Sequence, residues 1–248
     1  MRDFIESALK GQKADYIEIR IEETETTNIS FRGRQLDQIN HSTGKGGNVR
    51  VCVKGGWGFA SFNDLYSIDS KIEQAVNQAR MVGNGKTELA DVLPVIDIVP
   101  PHIVSNPANI PLAEKHRILE GYLDLLWGGP EIQTSTLRYS DGHRRLFYGN
   151  NLGTYTEQSR IDVNFGASAV ARCGSDIQQA SISMGSLGNF DLIHQMQNDV
   201  AELPQKAVEF LAAPQMAGGE YTVVLDPVLA GVFVHEAFGH LSEADHVY

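Results

Sequence analysis

The chain has 248 residues, 42% hydrophobic and 21% charged, an ordinary globular balance and enough length for two modest domains or one large one. Lys and Arg total 20 against 31 Asp and Glu, and the formal net charge of −11 argues against nucleic acid as a direct ligand, because a phosphate-backbone binder needs a basic footprint. The amino terminus lacks the apolar run of a secretory signal, no segment is long and apolar enough for a bilayer, and Cys52 and Cys173 stand far apart without metal or redox spacing. They read as reduced structural thiols, and a cytoplasmic enzyme fits these features, as do many other proteins.

The first ninety residues read as a small α+β domain, 1–90. Phe4, Ile5, Ala8 and Leu9 mark one face of a short helix ending near Gly11. Ile17, Ile19 and Ile21 alternate with Glu18, Arg20 and Glu22 as in a half-buried strand, and Ile29 with Phe31 repeats the pattern after an expected polar turn. Val49, Val51 and Val53 follow in the same manner, and Gly55-Gly56 turns the chain into a hairpin strand from Trp57 to Phe62. Ile68, Ile72, Ala75, Val76 and Ala79 then fall at helical spacing, closing at Gly83.

Five prolines between Pro94 and Pro111 make 91–111 read as a linker. Residues 112–217 are expected to form an antiparallel β-rich middle domain with helices. Pro111 opens a helix carrying Leu112, Leu119, Tyr122 and Leu126. Asp141-Gly142 and Asn150-Asn151 are turn signals between strands, and the longest alternation runs through Ile161, Val163, Phe165, Ala167, Ala169 and Ala171. A helical region over 192–211 is expected to kink or break at Pro204. Residues 218–248 read as the start of a third, metal-bearing domain: a strand from Tyr221 to Leu225, then an apolar, buried helix from Val228 to Phe238.

That helix carries the chemistry. A hydrolytic zinc site needs neutral imidazole ligands, an open position for water, and a carboxylate to take the water's proton. In His235-Glu236-Ala237-Phe238-Gly239-His240 the histidines are candidate ligands and Glu236 the candidate base. The better-known H-E-x-x-H spaces its histidines four apart. On a regular α-helix four residues leave about 40° between side chains, whereas the five found here leave about 140°. Both imidazoles reach one ion only if the helix is irregular, and a π-type bulge near Gly239 would suffice. His246 follows His240 at the spacing of a third metzincin histidine, but Glu243 stands where that motif has a turn glycine. His246 is read as a solvated residue, with a third ligand as the alternative.

The segment from His235 through Leu241-Ser242-Glu243-Ala244-Asp245 closely resembles the metal motif of the TldD/PmbA family of zinc metallopeptidases, on its TldD side. Ala14 to Arg20, Gly46 to Val51, Gly56 to Ala60 and Gly219 to Pro227 resemble other parts of the same family. The resemblance implies Zn²⁺ held by His235, His240 and a cysteine from far downstream, with Glu236 as general base. That cysteine has no counterpart here, and the chain is expected to be truncated before its C-terminal domain. The resemblance also implies a peptidase acting on unfolded or flexible peptides, and a homodimer or a heterodimer with a PmbA-like subunit. The family's older label, modulator of DNA gyrase, fits poorly with direct DNA binding by so acidic a chain.

A reading from another class is a catalytically incomplete fragment or non-catalytic assembly partner. The glycine-rich stretch from Gly44 to Gly58 lacks the order of a phosphate loop and reads as hairpin turns, beside strands able to accept a peptide or second subunit at an edge.

Overall fold

A computed structural model describes residues 1–243, which divide into a large unit, 1–212, and a small one that begins at Ala213. The large unit is built on one seven-stranded sheet: β1 (Tyr16–Arg32), β2 (Gln35–Val53), β3 (Gly56–Phe62), β4 (Ile96–Val99), β5 (Ile132–Asn150), β6 (Tyr155–Cys173) and β7 (Asp176–Leu187). Their spatial order is β3-β2-β1-β5-β6-β4, with β7 also paired to β6, and every pairing is antiparallel except β4 with β6. Helices α1 (Arg2–Leu9), α2 (Ile68–Val82), α3 (Leu112–Glu120) and α4 (Gln197–Ala212) complete it. The fold is α+β with an antiparallel sheet, as the alternating patterns imply.

β1 departs from the sequence reading. No turn separates Ile21 from Ile29; the strand runs unbroken and pairs with β5 from Glu18↔Asn150 to Arg32↔Thr136. Alternation puts Ile17, Ile19, Ile21, Ile29 and Phe31 on one face. The first three join a core with α1 and α2, around Ile5, Val49, Val51, Ile72 and Phe147. Ile29 and Phe31 join a second core with α4 and the α3 region, around Leu119, Leu126, Phe165, Phe190 and Val200. The polar residues between them serve the gap. Glu23 meets Lys45 at 2.8 Å and Arg145 at 3.3 Å, Glu25 meets His41 at 3.2 Å, and Thr27 Oγ1 lies 3.2 Å from His41 Nδ1.

The β2–β3 hairpin turns at Lys54-Gly55, whose φ angles of 49° and 78° match the primed turn that suits twisted strands. α2 then lies flat against β3. A Cβ at Gly58 would sit 1.9 Å from the Ala75 carbonyl oxygen, so only glycine permits that approach. Residues 91–111 are not wholly irregular: Ile96 to Val99 pair in parallel with Tyr155 to Gln158, giving the backbone between Pro94 and Pro100 hydrogen-bond partners.

Asp141-Gly142 is no turn either. It lies within β5, because Asp141 is buried and held by two donors: Lys115 Nζ from α3 at 2.5 Å and the Tyr139 hydroxyl at 2.6 Å. Burial, with Asp141 beside it, pushes the Tyr139 phenol far above its ordinary range. Asn150-Asn151 does turn the chain, the Asn150 side chain accepting from the Leu152 and Thr154 amides.

α4 passes through Pro204 without a break. A proline inside a helix costs about 3 kcal/mol. Val200 and Leu203 are buried on the same helix, and each such side chain contributes about 1.5–3 kcal/mol. The packing offsets the lost hydrogen bond.

The buried ion pair gives a direct test. Removing one partner strands a charge in the interior, so Lys115→Met should lower the unfolding free energy by about 3–5 kcal/mol in denaturant titration. Replacing Lys115 and Asp141 together with apolar residues should recover part of that loss.

Candidate metal centre

The small unit begins irregularly. Tyr221 to Leu225, expected as a strand, has no regular secondary structure. A strand needs a ladder partner for its N–H and C=O groups, and among the described residues none pairs with this segment. The helix that follows starts as its sequence dictates. Asp226 caps it, its carboxylate accepting from the Leu229 amide at 2.7 Å, and Pro227 occupies the first turn, where no amide donor is needed. α5 runs from Pro227 to Val234. Contrary to expectation its apolar side chains are not buried: Val228, Leu229, Val232, Phe233 and Val234 are all exposed. No described element covers them.

At His235 the winding changes. Residues His235–Gly239 form a π-turn, closed by the His240 amide donating to the His235 carbonyl five residues back. This is the irregularity that the five-residue spacing requires. It brings the imidazoles together, with ring centroids 4.6 Å apart and planes at 78°. Glu236 points to the same place, its Oε2 3.9 Å from His240 Nε2. One ligand atom from each of His235, Glu236 and His240 lies within 4.8 Å of the other two. Two imidazole nitrogens with a carboxylate beside them suit a borderline divalent ion such as zinc and the water it would activate. The donor set fits.

Gly239 is not the hinge of this distortion. Its φ of −58° and ψ of −56° are ordinary right-handed helical values, and an added Cβ would only touch His235 Nδ1 at 3.9 Å. Beyond it, His240–Ser242 tighten into a 3₁₀ turn, closed by the Glu243 amide on the His240 carbonyl and by the Ser242 hydroxyl on the Phe238 carbonyl. The Glu243 carboxylate lies 2.6 Å from His240 Nδ1. The sequence placed Glu243 only where the metzincin motif has a turn glycine; the contact with His240 follows from the helix's change of winding.

Cys52 is buried in β2 and Cys173 lies exposed at the end of β6; both are free thiols and neither belongs to the cluster. His246, the alternative third ligand, lies outside the described residues. The described helices include none long and apolar enough to cross a membrane.

The fold and the cluster together define an α+β protein with a candidate His-Glu-His metal centre. Residues 17–79 match PmbA/TldA metallopeptidase domain 1, and residues 105–213 match the PmbA/TldA metallopeptidase central domain. Metalloprotease slr0863 of Synechocystis sp. is 39% identical over 238 residues, which cover 95% of this chain and 51% of that protein. The zinc metalloprotease TldD homolog of Saccharolobus solfataricus is 24% identical over 243 residues, 94% of this chain and 51% of the relative. A crystal structure of a candidate modulator of DNA gyrase from Bacteroides thetaiotaomicron shares the fold, with a TM-score of 0.79, 17% identity, and coverage of 97% of this chain and 56% of that one. The chain belongs to the TldD/PmbA family of metallopeptidases. It spans about half the length of the curated relatives it matches.

Because Gly239 holds ordinary helical angles, Gly239→Ala should keep the π-turn and leave zinc affinity unchanged. It should also stabilise the local helix by about 0.5–1 kcal/mol. Chelator competition and circular dichroism of the variant check both parts.

Proposed function

We propose that this chain carries two metal ligands and the general base of a zinc-dependent peptidase subunit acting on unfolded or flexible peptides. The observation that supports the reading is the π-turn, along which one ligand atom each of His235, Glu236 and His240 lie within 4.8 Å of one another although the histidines stand five residues apart. The name of the Saccharolobus relative supports zinc as the metal.

Zinc, when bound, polarises a carbonyl and lowers the pKa of water toward neutrality. The chain's own residues do the rest. His235 and His240 offer neutral imidazole nitrogens, and their T-shaped packing directs both to one side of the helix. Glu236 sits beside the first ligand with its carboxylate toward the second, where it accepts the proton of the attacking water and returns it to the departing amine nitrogen. A third ligand completes such a site. The family resemblance assigns it to a downstream cysteine, a role that neither Cys52 nor Cys173 fills within the cluster. Assembly as a homodimer or with a PmbA-like subunit, in the cytoplasm, belongs to the same reading.

A second reading is a non-catalytic assembly partner, and the exposure of all three residues is the observation that supports it. Metal analysis of the 248-residue chain beside a peptidase assay separates the two, since zinc uptake without cleavage supports the second. Where cleavage is present, Glu236→Gln should retain zinc and lose about 10²–10⁴-fold in rate. Undiminished cleavage by that variant would sink the assignment of Glu236.

A further inference from the structure

We infer that Glu243 is a positioning residue for His240: its carboxylate fixes the imidazole in the tautomer that leaves Nε2 free to hold a metal. The inference rests on the metal reading proposed above and assigns a role to a residue outside the H-E-x-x-x-H motif.

The backbone produces the contact. After the π-turn the chain tightens, and the Glu243 amide donates to the His240 carbonyl three residues back, at 3.3 Å. A 3₁₀ turn has three residues per turn, so side chains at i and i+3 eclipse. Glu243 therefore stands over His240, and its Oε1 lies 2.6 Å from Nδ1. On a continuing α-helix the two residues would be offset by about 60°. The change of winding at His240 thus does two jobs. The wide turn before it brings His240 to His235, and the tight turn after it brings Glu243 to His240.

Proton bookkeeping follows from the donor types. An ionised carboxylate only accepts hydrogen bonds, so Nδ1 must carry the hydrogen in this contact. A neutral imidazole with hydrogen on Nδ1 has its lone pair on Nε2. Nε2 is also the nitrogen turned toward Glu236 Oε2, at 3.9 Å. The arrangement is that of a carboxylate–histidine–metal triad, in which the outer carboxylate orients the ring and raises its basicity as a ligand.

The plainer account is a surface ion pair. His240 and Glu243 side chains are 50% and 49% exposed, and such pairs contribute about 0–1 kcal/mol. That account sets no particular tautomer of His240 and predicts no effect on metal binding, so the tautomer and the zinc affinity separate the two.

The test uses the 248-residue chain with ¹⁵N-labelled histidine. In the metal-free wild type, the neutral form of His240 should carry its hydrogen on Nδ1 and leave Nε2 bare. Glu243→Ala should shift the ring toward the opposite tautomer, while Glu243→Gln should keep it, because the amide oxygen accepts the same bond. In chelator competition, Glu243→Ala should weaken zinc binding by about 10–100-fold, and Glu243→Gln should stay close to wild type. An unchanged tautomer in Glu243→Ala, or unchanged zinc affinity despite a shifted tautomer, overturns the positioning role. If the wild type takes up no zinc, the metal reading fails instead, and the metal-free tautomer alone then decides whether Glu243 holds His240.

Discussion

The pairing of β1 with β5 is the constraint on which the large unit depends. From Glu18↔Asn150 to Arg32↔Thr136 the two strands stay in one register, so Ile19 and Phe31, near opposite ends of β1, face the same side. Each end of that face is covered by different helices. A slip of one residue would turn both apolar sets, Ile17 to Ile21 and Ile29 with Phe31, to the other face at once. The two cores are therefore not independent, although they share no side chain. Between them the face carries Glu23, Glu25 and Thr27, whose partners Lys45, Arg145 and His41 come from the neighbouring strands. Opposite charges across strands satisfy a stretch that neither core covers.

That arrangement explains what the sequence disclosed and what it hid. Wherever a strand lies against one core, alternation is plain, as in Ile17 to Ile21, Val49 to Val53 and Ile161 to Ala171. Between the cores the strand persists while the apolar signal vanishes, so residues 22 to 28 look like a turn. Asp141-Gly142 misleads for a related reason. Its turn chemistry is that of an unpartnered aspartate, but Lys115 arrives from α3 to hold the side chain, a contact no local pattern announces. Pro204 and the segment Tyr221 to Leu225 err in opposite directions. Buried packing carries α4 through a proline that local propensity would reject. Good strand propensity in Thr222-Val223-Val224 yields no strand, because propensity without a ladder partner leaves the backbone unpaired.

The candidate centre was more legible than the fold around it, and the reason is geometric. A five-residue step from one histidine to the next cannot be reconciled with one ion on a regular helix, so the spacing itself demanded a wider turn. Gly239 drew attention as the point of distortion, yet the π-turn is spread over five residues with ordinary helical angles at the glycine. What the spacing did not disclose was the compensating tight turn beyond His240. A helix widened at one point presents its next residues on a shifted face, and Glu243 reaches His240 only because the winding contracts again.

The exposure of α5 bears on the chemistry as much as on the packing. The cluster is local, contained in nine consecutive residues, so its geometry does not depend on the large unit. Its strength does depend on surroundings. In bulk water a unit charge 4 Å away is worth about 1 kcal/mol, against about 4 kcal/mol at the effective dielectric of a partly covered site. Glu236 beside an exposed metal would therefore be a weaker base-and-ligand pair than the same residues under an apolar cover. Val228, Leu229, Phe233 and Phe238 ring the helix with the apolar surface that such a cover would bury. The same residues that make the helix unfavourable in water are those that would make the centre dry. Local winding sets which atoms meet, and burial sets how strongly they act.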